Sequence, residues 1–248
     1  MIHTLFPNKV KLEPVSHRYH DNSGNEYMSV SKLLKMIAEK FEDTHAYARA
    51  TNETKAEWKA IGKESADHGT RIHNALELFS DTGQILKEDE DLEEIIKSVS
   101  AEYSEYHKSY NEVCLYNDKY KIAGTTDKIC AISNRKDCEV DLADYKSNNR
   151  NGIQYFNKYK KRLYAPFDHL QDCNYVKYSF QLSIYAYFFE ELTGRKVRNL
   201  FIHSINSEKK THQKIPVMYL KNDVKLLLDT YAGKIEEELN PLQNAFEI

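Results

Sequence analysis

The feature that most constrains the fold is a strand-like region in the middle of the chain. Three runs rich in β-branched and aromatic residues are separated by short polar turns, and they cover residues 112–116, 120–132 and 138–146. The last two runs are close enough in sequence to pair as an antiparallel hairpin. The region therefore predicts the centre of one small sheet.

Helical periodicity surrounds this region on both sides. Helix-like segments precede it at 29–42, 43–61, 68–80 and 91–110 and follow it at 175–193 and 222–239, with a hairpin at 16–30 and strands at 197–205 and 212–219. Helices flanking a small central mixed sheet make the fold α/β or α+β. The chain has 248 residues, 41% of them hydrophobic, and no linker-like stretch, so we expect one domain over 1–248. Its first part, 1–110, would be mainly helical, and 111–248 would carry the sheet and its flanking helices.

Nothing in the composition indicates export or a membrane. The chain has no signal-type apolar segment at its start and no apolar run of about 18 residues. Its four cysteines lack C-x-x-C spacing, which favours buried free thiols in a reducing compartment. We therefore expect a cytoplasmic protein with no membrane partner.

The stretch EVDLADYKSN, residues 139–148, ends an apolar strand with an acid and a lysine. Successive side chains of a strand point to opposite faces, so Asp144 and Lys146 project together. Similar triplets occur elsewhere, as in Glu208/Lys210, and such triplets usually form surface ion pairs that contribute little to stability. Here the pair lies in an apolar strand, where charges are costly unless they have a function.

Asp127, in AGTTDKI, lies on the preceding strand. A hairpin that turns between Ser133 and Lys136 would bring Asp127 and Asp144 to similar heights, where they could share a cation. Mg²⁺ prefers oxygen ligands and usually takes one or two carboxylates together with a substrate phosphate. The two aspartates therefore predict a divalent-metal site, although a lone turn carboxylate is the default interpretation of Asp127.

Two helices carry further polar residues. Gly69, His73 and Glu77 follow one another at i, i+4 on one helical face, where glycine permits close approach and imidazole could bind the same metal. Gln181 and Tyr185 lie one turn apart on an otherwise apolar helix. A satisfied helical histidine and a core tyrosine with a polar neighbour are the ordinary interpretations of these residues.

Taken together, these residues resemble a known pattern. Over residues 16–206 the chain is similar to the RecB-like branch of the PD-(D/E)XK nuclease superfamily. The matching residues are His73 in GTRIHNALE, Glu112, Asp127 in GTTD, Asp144 to Lys146 in DYK, and Gln181 to Tyr185 in QLSIY. No single motif is specific, but five in this order are hard to obtain by chance. In its overall residue pattern the chain resembles phage exonucleases of this branch and the mitochondrial genome maintenance exonuclease. The resemblance implies a restriction-endonuclease-like core.

The resemblance also implies a metal site. Asp127, Asp144 and the backbone carbonyl of Tyr145 would bind one or two Mg²⁺ or Mn²⁺ ions. His73 would be a further ligand or would orient water at the metal. Relatives with an iron–sulfur cluster have a late C-x-x-C group, whereas this chain has no cysteine after Cys173, so no such cluster is expected. The sequence also contains no helicase module of the kind found with RecB.

The remaining matched residues would act around that metal. Lys146 would position the attacking water and offset charge developing on phosphorus, as a compact point charge can. Glu112, by default an exposed strand acid, would assist at the metal through water. Gln181 and Tyr185 would brace the lysine and contact the strand being cut.

A cationic segment follows the lysine directly. Although the net charge is only −3, the chain has no acid from Lys146 to Tyr164, and acids concentrate elsewhere, as in 87–94. Cations that follow phosphates and aromatics that stack on bases are what a single strand requires. A solvated surface loop is the alternative. The expected contacts are Arg150, Tyr155, Lys158, Lys160, Lys161 and Arg162.

The sequence thus predicts a Mg²⁺- or Mn²⁺-dependent deoxyribonuclease, an exonuclease on single-stranded DNA ends or flaps. It would act in DNA repair, recombination or replication, with proteins of those processes as partners. The resemblance to phage exonucleases also suggests a phage origin. The first hundred residues would wall the strand and favour threading of a free end. One alternative is a catalytically inactive nucleic-acid-binding module of the same fold, and another is an enzyme acting on a small phosphate ester. Polarity, RNA tolerance and the exo/endo distinction stay open.

Overall fold

The computed structural model describes residues 9–13, 16–147 and 152–239, with side chains described up to Tyr231. The strands are β1 (Val10–Glu13), β2 (Arg18–Asp21), β3 (Glu26–Ser29), β4 (Lys108–Asn117), β5 (Ile122–Ala131), β6 (Val140–Ser147), β7 (Val197–Asn206) and β8 (Thr211–Pro216). The α-helices are α1 (Val30–Leu34), α2 (His45–Arg49), α3 (Asn52–Thr82), α4 (Glu93–Ala101), α5 (Asn174–Thr193) and α6 (Lys221–Leu239). Two 3-10 helices cover Phe41–Asp43 and Lys87–Leu92.

The strands form one mixed sheet. Its order in the described chain is β1-β2-β3-β5-β6-β7-β8, and β4 pairs with β5. The β3–β5 and β6–β7 pairs are parallel, and the other pairs are antiparallel. The predicted fold class, a central mixed sheet flanked by helices, is therefore confirmed.

Helices cover both faces of this sheet. On one face α1, α5 and α6 pack in the main core, which contains fully buried residues such as Phe180 and Phe188. On the other face α3 and α4 build a second cluster around Ile72 and Ile96, which also takes in the ring of Tyr145. β6 therefore contributes alternate residues to two separate cores, as its alternating sequence predicts. No helix of the described residues is both long and apolar enough to cross a membrane.

Local signals explain where the two longest helices begin and end. The Thr51 hydroxyl accepts a hydrogen bond from the Thr54 N–H at 3.2 Å and caps the start of α3. Gly83 and Gly194 follow α3 and α5 in the left-handed conformation, with φ of 71° and 69°. The predicted end of the 175–193 helix at Gly194 is confirmed.

Helix boundaries before the sheet differ from the predictions. The segment predicted as a helix over 91–110 ends as α4 at Ala101, and β4 begins at Lys108. β4 pairs with β5 from Lys108 to Asn117 except at Glu112, so sheet pairing overrides the helical pattern there. The helices predicted at 43–61 and 68–80 are largely joined in the single helix α3, and the one at 29–42 is only the five residues of α1.

The divergence of β5 and β6 positions the candidate site. β4 pairs along one edge of β5, and β3 and β6 share the other edge. On that edge β3 pairs with Ile122 and Ala123 of β5, and β6 pairs with β5 from Lys128 onward. Among the described residues, 124–127 have no strand partner on that edge. The hairpin register confirms the predicted turn, because it places Asp127 and Asp144 next in line after the last pair, Lys128 with Ala143.

Candidate active site

Asp127 lies where the two strands part. Its Oδ2 accepts a hydrogen bond of 2.5 Å from the Tyr145 N–H, so the carboxylate takes the place of β5, whose pairing with β6 ends at Ala143. Its Oδ1 lies 3.3 Å from His73 Nδ1. Burial alone would raise the pKa of this 7% exposed carboxyl, but the charge and hydrogen bond of His73 outweigh burial and lower it.

His73 bridges two oxygens of the site. Its Nε2 lies 3.0 Å from the carbonyl oxygen of Tyr145, and its Nδ1 faces Asp127. Burial alone would lower the pKa of His73, but the Asp127 and Asp144 charges raise it to about 9. His73 therefore lies between two of the oxygens that the resemblance assigns to a metal, and these carboxylates favour its protonated form when no cation is bound.

Asp144 and Lys146 project to the same side of β6, as the alternation predicts, and they form an ion pair. Asp144 is 2% exposed, and burial together with the nearby Asp127 charge raises its pKa to about 6 despite the lysine. Burial alone would lower the pKa of Lys146, but Asp144 and Asp127 raise it. The ammonium also lies 4.9 Å from the ring centre of Tyr178 on α5.

Glu112 completes the acidic group from β4. One ligand atom each of Glu112, Asp127 and His73 lies within 4.8 Å of the others, whereas Asp144 is outside this three-residue group. Glu112 has a φ of 46° within a strand, a conformation that costs a non-glycine residue about 1–3 kcal/mol and is concentrated at functional sites. Desolvation and then the Asp127 and Glu77 charges raise its pKa to about 8, although the residue as a whole is exposed.

Glu77 is a member of the cleft that sequence reasoning left unassigned. It lies one turn after His73 on α3, and its pKa is raised by partial burial and then by the charges of Asp81 and Asp127. The i, i+4 spacing with His73 was the signal for it. Carboxylates from α3, β4, β5 and β6 therefore lie close enough together to affect one another's pKa.

This arrangement fits a divalent cation. Like charges that raise one another's pKa are relieved when a cation binds between them. Three carboxylates, a backbone carbonyl and one imidazole are hard or intermediate ligands, which suit Mg²⁺ and Mn²⁺ better than a thiolate-binding metal. Asp127, Glu112 and His73 lie close enough together to hold such an ion, and His73 also contacts the Tyr145 carbonyl, whereas Asp144 lies outside this group and its role as a ligand stays a prediction.

Two glycines allow the helices to approach these strands. A Cβ at Gly69 on α3 would lie 3.1 Å from the Ser147 hydroxyl oxygen, so this position keeps α3 close to the end of β6. A Cβ at Gly124 on β5 would lie 2.6 Å from Cε1 of Tyr185. Gly124 therefore provides the space that the Tyr185 ring occupies.

Gln181 and Tyr185 differ in their access to solvent. Gln181 is half-buried and its amide donates to the Tyr185 hydroxyl at 3.1 Å, while Tyr185 is 3% exposed. Such burial gives Tyr185 a packing role, and its contact with substrate stays a prediction. The aromatic contact of Lys146 is made by Tyr178, which sequence reasoning missed because it stands outside the QLSIY motif.

The cationic segment after β6 is exposed but partly engaged within the protein. Arg150 lies outside the described residues. Lys161 forms an ion pair with Glu39, and Arg162 donates to the His169 carbonyl at 2.9 Å, so these two cations have internal partners. Lys158 and Lys160 are exposed.

An aromatic contact places this segment against α5, the helix that also contacts the lysine of the site. Tyr155 is 52% exposed and its ring centre lies 5.0 Å from that of Tyr175, the residue one turn before Tyr178 on α5. Phe156 and Tyr159 are 69% and 72% exposed. The segment therefore presents aromatic surface near the helix whose Tyr178 contacts Lys146.

Comparisons with known proteins are distant. Neither a protein-family model nor a curated protein sequence matches this chain. Among solved structures, a protein from Eubacterium rectale provisionally described as an exonuclease has a TM-score of 0.43 and 17% identity, covering 87% of this chain and 82% of that one. SSO0001 has a TM-score of 0.37 and 16% identity, covering 74% of this chain and 68% of that one. At these TM-scores neither likeness carries an argument about function.

Proposed function

We propose that this protein is a Mg²⁺- or Mn²⁺-dependent deoxyribonuclease of the RecB-like branch of the PD-(D/E)XK superfamily. The observation that carries the proposal is the convergence of Asp127, Glu112 and His73 beside the Asp144–Lys146 pair at the divergence of two strands. This convergence supports metal-dependent hydrolysis of a phosphodiester. No nucleophilic serine or cysteine is needed for that reaction.

The carboxylates and the lysine have separate tasks in this proposal. A divalent ion, if held by these carboxylates, would supply charge neutralisation at the phosphate and an activated water. Lys146 is held by Asp144 and by the Tyr178 ring, so its ammonium is positioned to offset negative charge that develops on phosphorus. His73 lies between Asp127 and the Tyr145 carbonyl and orients both groups, and it would lose its ring proton if it ligates the ion directly.

The proposed substrate is a single-stranded DNA end or flap, and the proposed mode is exonucleolytic. Exposed Tyr155, Phe156 and Tyr159, with Lys158 and Lys160, support contact with a strand whose bases are free to stack. A role in DNA repair, recombination or replication, in the cytoplasm and with a phage origin, is part of the same proposal. It rests on the resemblance in sequence.

The test is degradation of an oligonucleotide labelled at either end, with Mg²⁺ or Mn²⁺ and with EDTA. We expect Asp144→Asn and Lys146→Gln to lower the rate at least about 100-fold, the usual effect of removing one charge-stabilising group, and EDTA to stop the reaction. Glu208→Gln and Lys225→Gln are matched controls, because they change an exposed acid and an exposed lysine of other acid-x-lysine triplets. They should retain the rate.

Two other results would decide against the proposal. If the two site variants cut DNA as fast as the two control variants, the assignment of Asp144 and Lys146 to the active site would be wrong. DNA binding without cutting by the folded, unmutated protein would favour the catalytically inactive binding module. Circular dichroism of each variant separates loss of chemistry from loss of fold.

A further inference from the structure

The first half of α3 extends beyond the body of the protein. α3 is one continuous helix of 31 residues, and it contacts the candidate site at Gly69 and His73. From residue 52 to 67 every residue is exposed except three half-buried ones, at 54, 55 and 58. Near its start, the Trp58 ring packs against Phe41 and Tyr47, with ring centres 5.1 and 6.1 Å apart. This exposed half, residues 52–67, is called the α3 arm below.

Charges on the α3 arm are separated by face. At about 100° per residue, Lys55, Lys59 and Lys63 fall within a sector of about 80°. The four acids of the arm fall within another sector of about 80°, centred roughly opposite Lys55, and they are Glu53, Glu57, Glu64 and Asp67. Salt-bridged solvent-exposed helices usually intersperse the two signs, so a one-sided lysine row points to an anionic partner.

The lysine row is aligned with the candidate site. His73 follows Lys55 by 18 residues, or about five complete turns, so the two side chains leave the helix axis in the same direction. Lys63 and Lys59 precede His73 by about 15 and 21 Å along the axis at the α-helical rise. A strand that reaches the site along this face would pass both lysines.

The charges of the row are available. In the described part of the chain, none of Lys55, Lys59 and Lys63 takes part in an ion pair. Lys55 lies 4.8 Å from the ring centre of Tyr47, a contact that keeps its charge. Lys59 and Lys63 are exposed.

We propose that Lys55, Lys59 and Lys63 form a phosphate-binding row that holds the backbone of a single nucleic-acid strand along the α3 arm on its way to the site. The inference rests on the proposed function, because it takes the substrate to be a nucleic acid. The row would contact phosphates and make no contact with the bases. Its contribution to binding affinity should therefore be independent of the nucleic-acid sequence and strongly dependent on salt concentration. The acidic sector, centred about 120° around the helix from the centre of the lysine row, repels the same strand and leaves the lysine side of the arm for binding.

The test is the salt dependence of binding to a fluorescent 20-nucleotide single strand, measured by anisotropy in EDTA so that no cutting occurs. For the double variant Lys59→Gln/Lys63→Gln, the slope of log K against log salt should fall in magnitude by about 1.4, or about 0.7 for each lost phosphate contact. The first control, Glu57→Gln/Glu64→Gln, neutralises two charges on the opposite face of the same arm. The second control, Lys136→Gln/Lys225→Gln, removes two exposed lysines elsewhere. Neither control should lower the slope.

The outcomes separate this inference from the proposed function. An unchanged slope in Lys59→Gln/Lys63→Gln, or an equal fall in Lys136→Gln/Lys225→Gln, would overturn the phosphate-binding row even if the enzyme cuts DNA. If the slope falls as expected in Lys59→Gln/Lys63→Gln, but the unmutated protein binds DNA and never cuts it with Mg²⁺ or Mn²⁺, the row is supported and the nuclease function is overturned. Circular dichroism at 222 nm confirms that α3 is intact in each variant.

Discussion

At the scale of single residues, the site depends on positions that would be ordinary elsewhere. Asp127 becomes a site residue because β6 leaves its edge of β5, and its carboxylate then bonds to the Tyr145 N–H in place of a strand. Glu112 reaches the same cleft from a strand with a φ of 46°. Such a conformation persists where its surroundings hold it, which is common at functional sites.

Gly124 tests how tightly this region is packed. Gly124→Ala should lower the free energy of unfolding by about 1–3 kcal/mol, the usual cost of overpacking, because the new methyl would lie 2.6 Å from the Tyr185 ring. Gly62→Ala is the matched control, since a Cβ there meets nothing within 4 Å and should stabilise the exposed helix by about 0.5–1 kcal/mol. Urea unfolding of the two variants measures both effects. Equal effects of the same sign would contradict this description of the packing.

At the scale of elements, Glu190 joins three of them. Its carboxylate at the end of α5 accepts from the Val197 N–H at 3.2 Å, from the Tyr219 hydroxyl at 2.9 Å and from the Lys221 ammonium at 2.5 Å. Partial burial would raise the pKa of Glu190, but Lys221 and the Val197 N–H lower it further than burial raises it. The end of α5, the start of β7 and the start of α6 therefore depend on one ionised carboxylate.

Removal of that carboxylate should destabilise the fold in a pH-dependent way. Glu190→Ala should cost about 1–3 kcal/mol at neutral pH through its lost hydrogen bonds. Because its folded pKa is lower than 4.5, the stabilisation is present above pH 4.5 and is lost as pH falls through the lowered value. The difference between unmutated and variant protein should therefore shrink in acid. Glu191→Ala, at the exposed neighbouring position, should show neither effect.

The sequence predicts local features of these elements better than their packing. The β5–β6 hairpin was predictable because alternation and turn position together set its register. The length of α3 and the start of β4 were not, since β4 is stabilised by pairing with β5 rather than by its own pattern. Glu77 and Tyr178 join the site through the way α3 and α5 pack on the sheet, which no motif records.

At the scale of the whole molecule, a net charge of −3 conceals a strong separation of sign. Acids gather at the candidate site, where burial and then neighbouring carboxylates raise the pKa of Glu112 to about 8 and that of Asp144 to about 6. Lysines line one face of the α3 arm. A cation bound by the carboxylates would allow a polyanion to approach the cleft. Composition alone could not reveal this arrangement, because it depends on which faces the fold brings together.

The central claim is that these carboxylates bind a divalent cation, and calorimetric titration of Mn²⁺ into EDTA-stripped protein tests it most directly. The account predicts saturable binding to the unmutated protein and to Glu208→Gln, and an affinity at least about 10-fold weaker in Asp127→Asn, which loses one carboxylate charge at the site. No saturable binding to the unmutated protein, or equal affinity in Asp127→Asn, would contradict it.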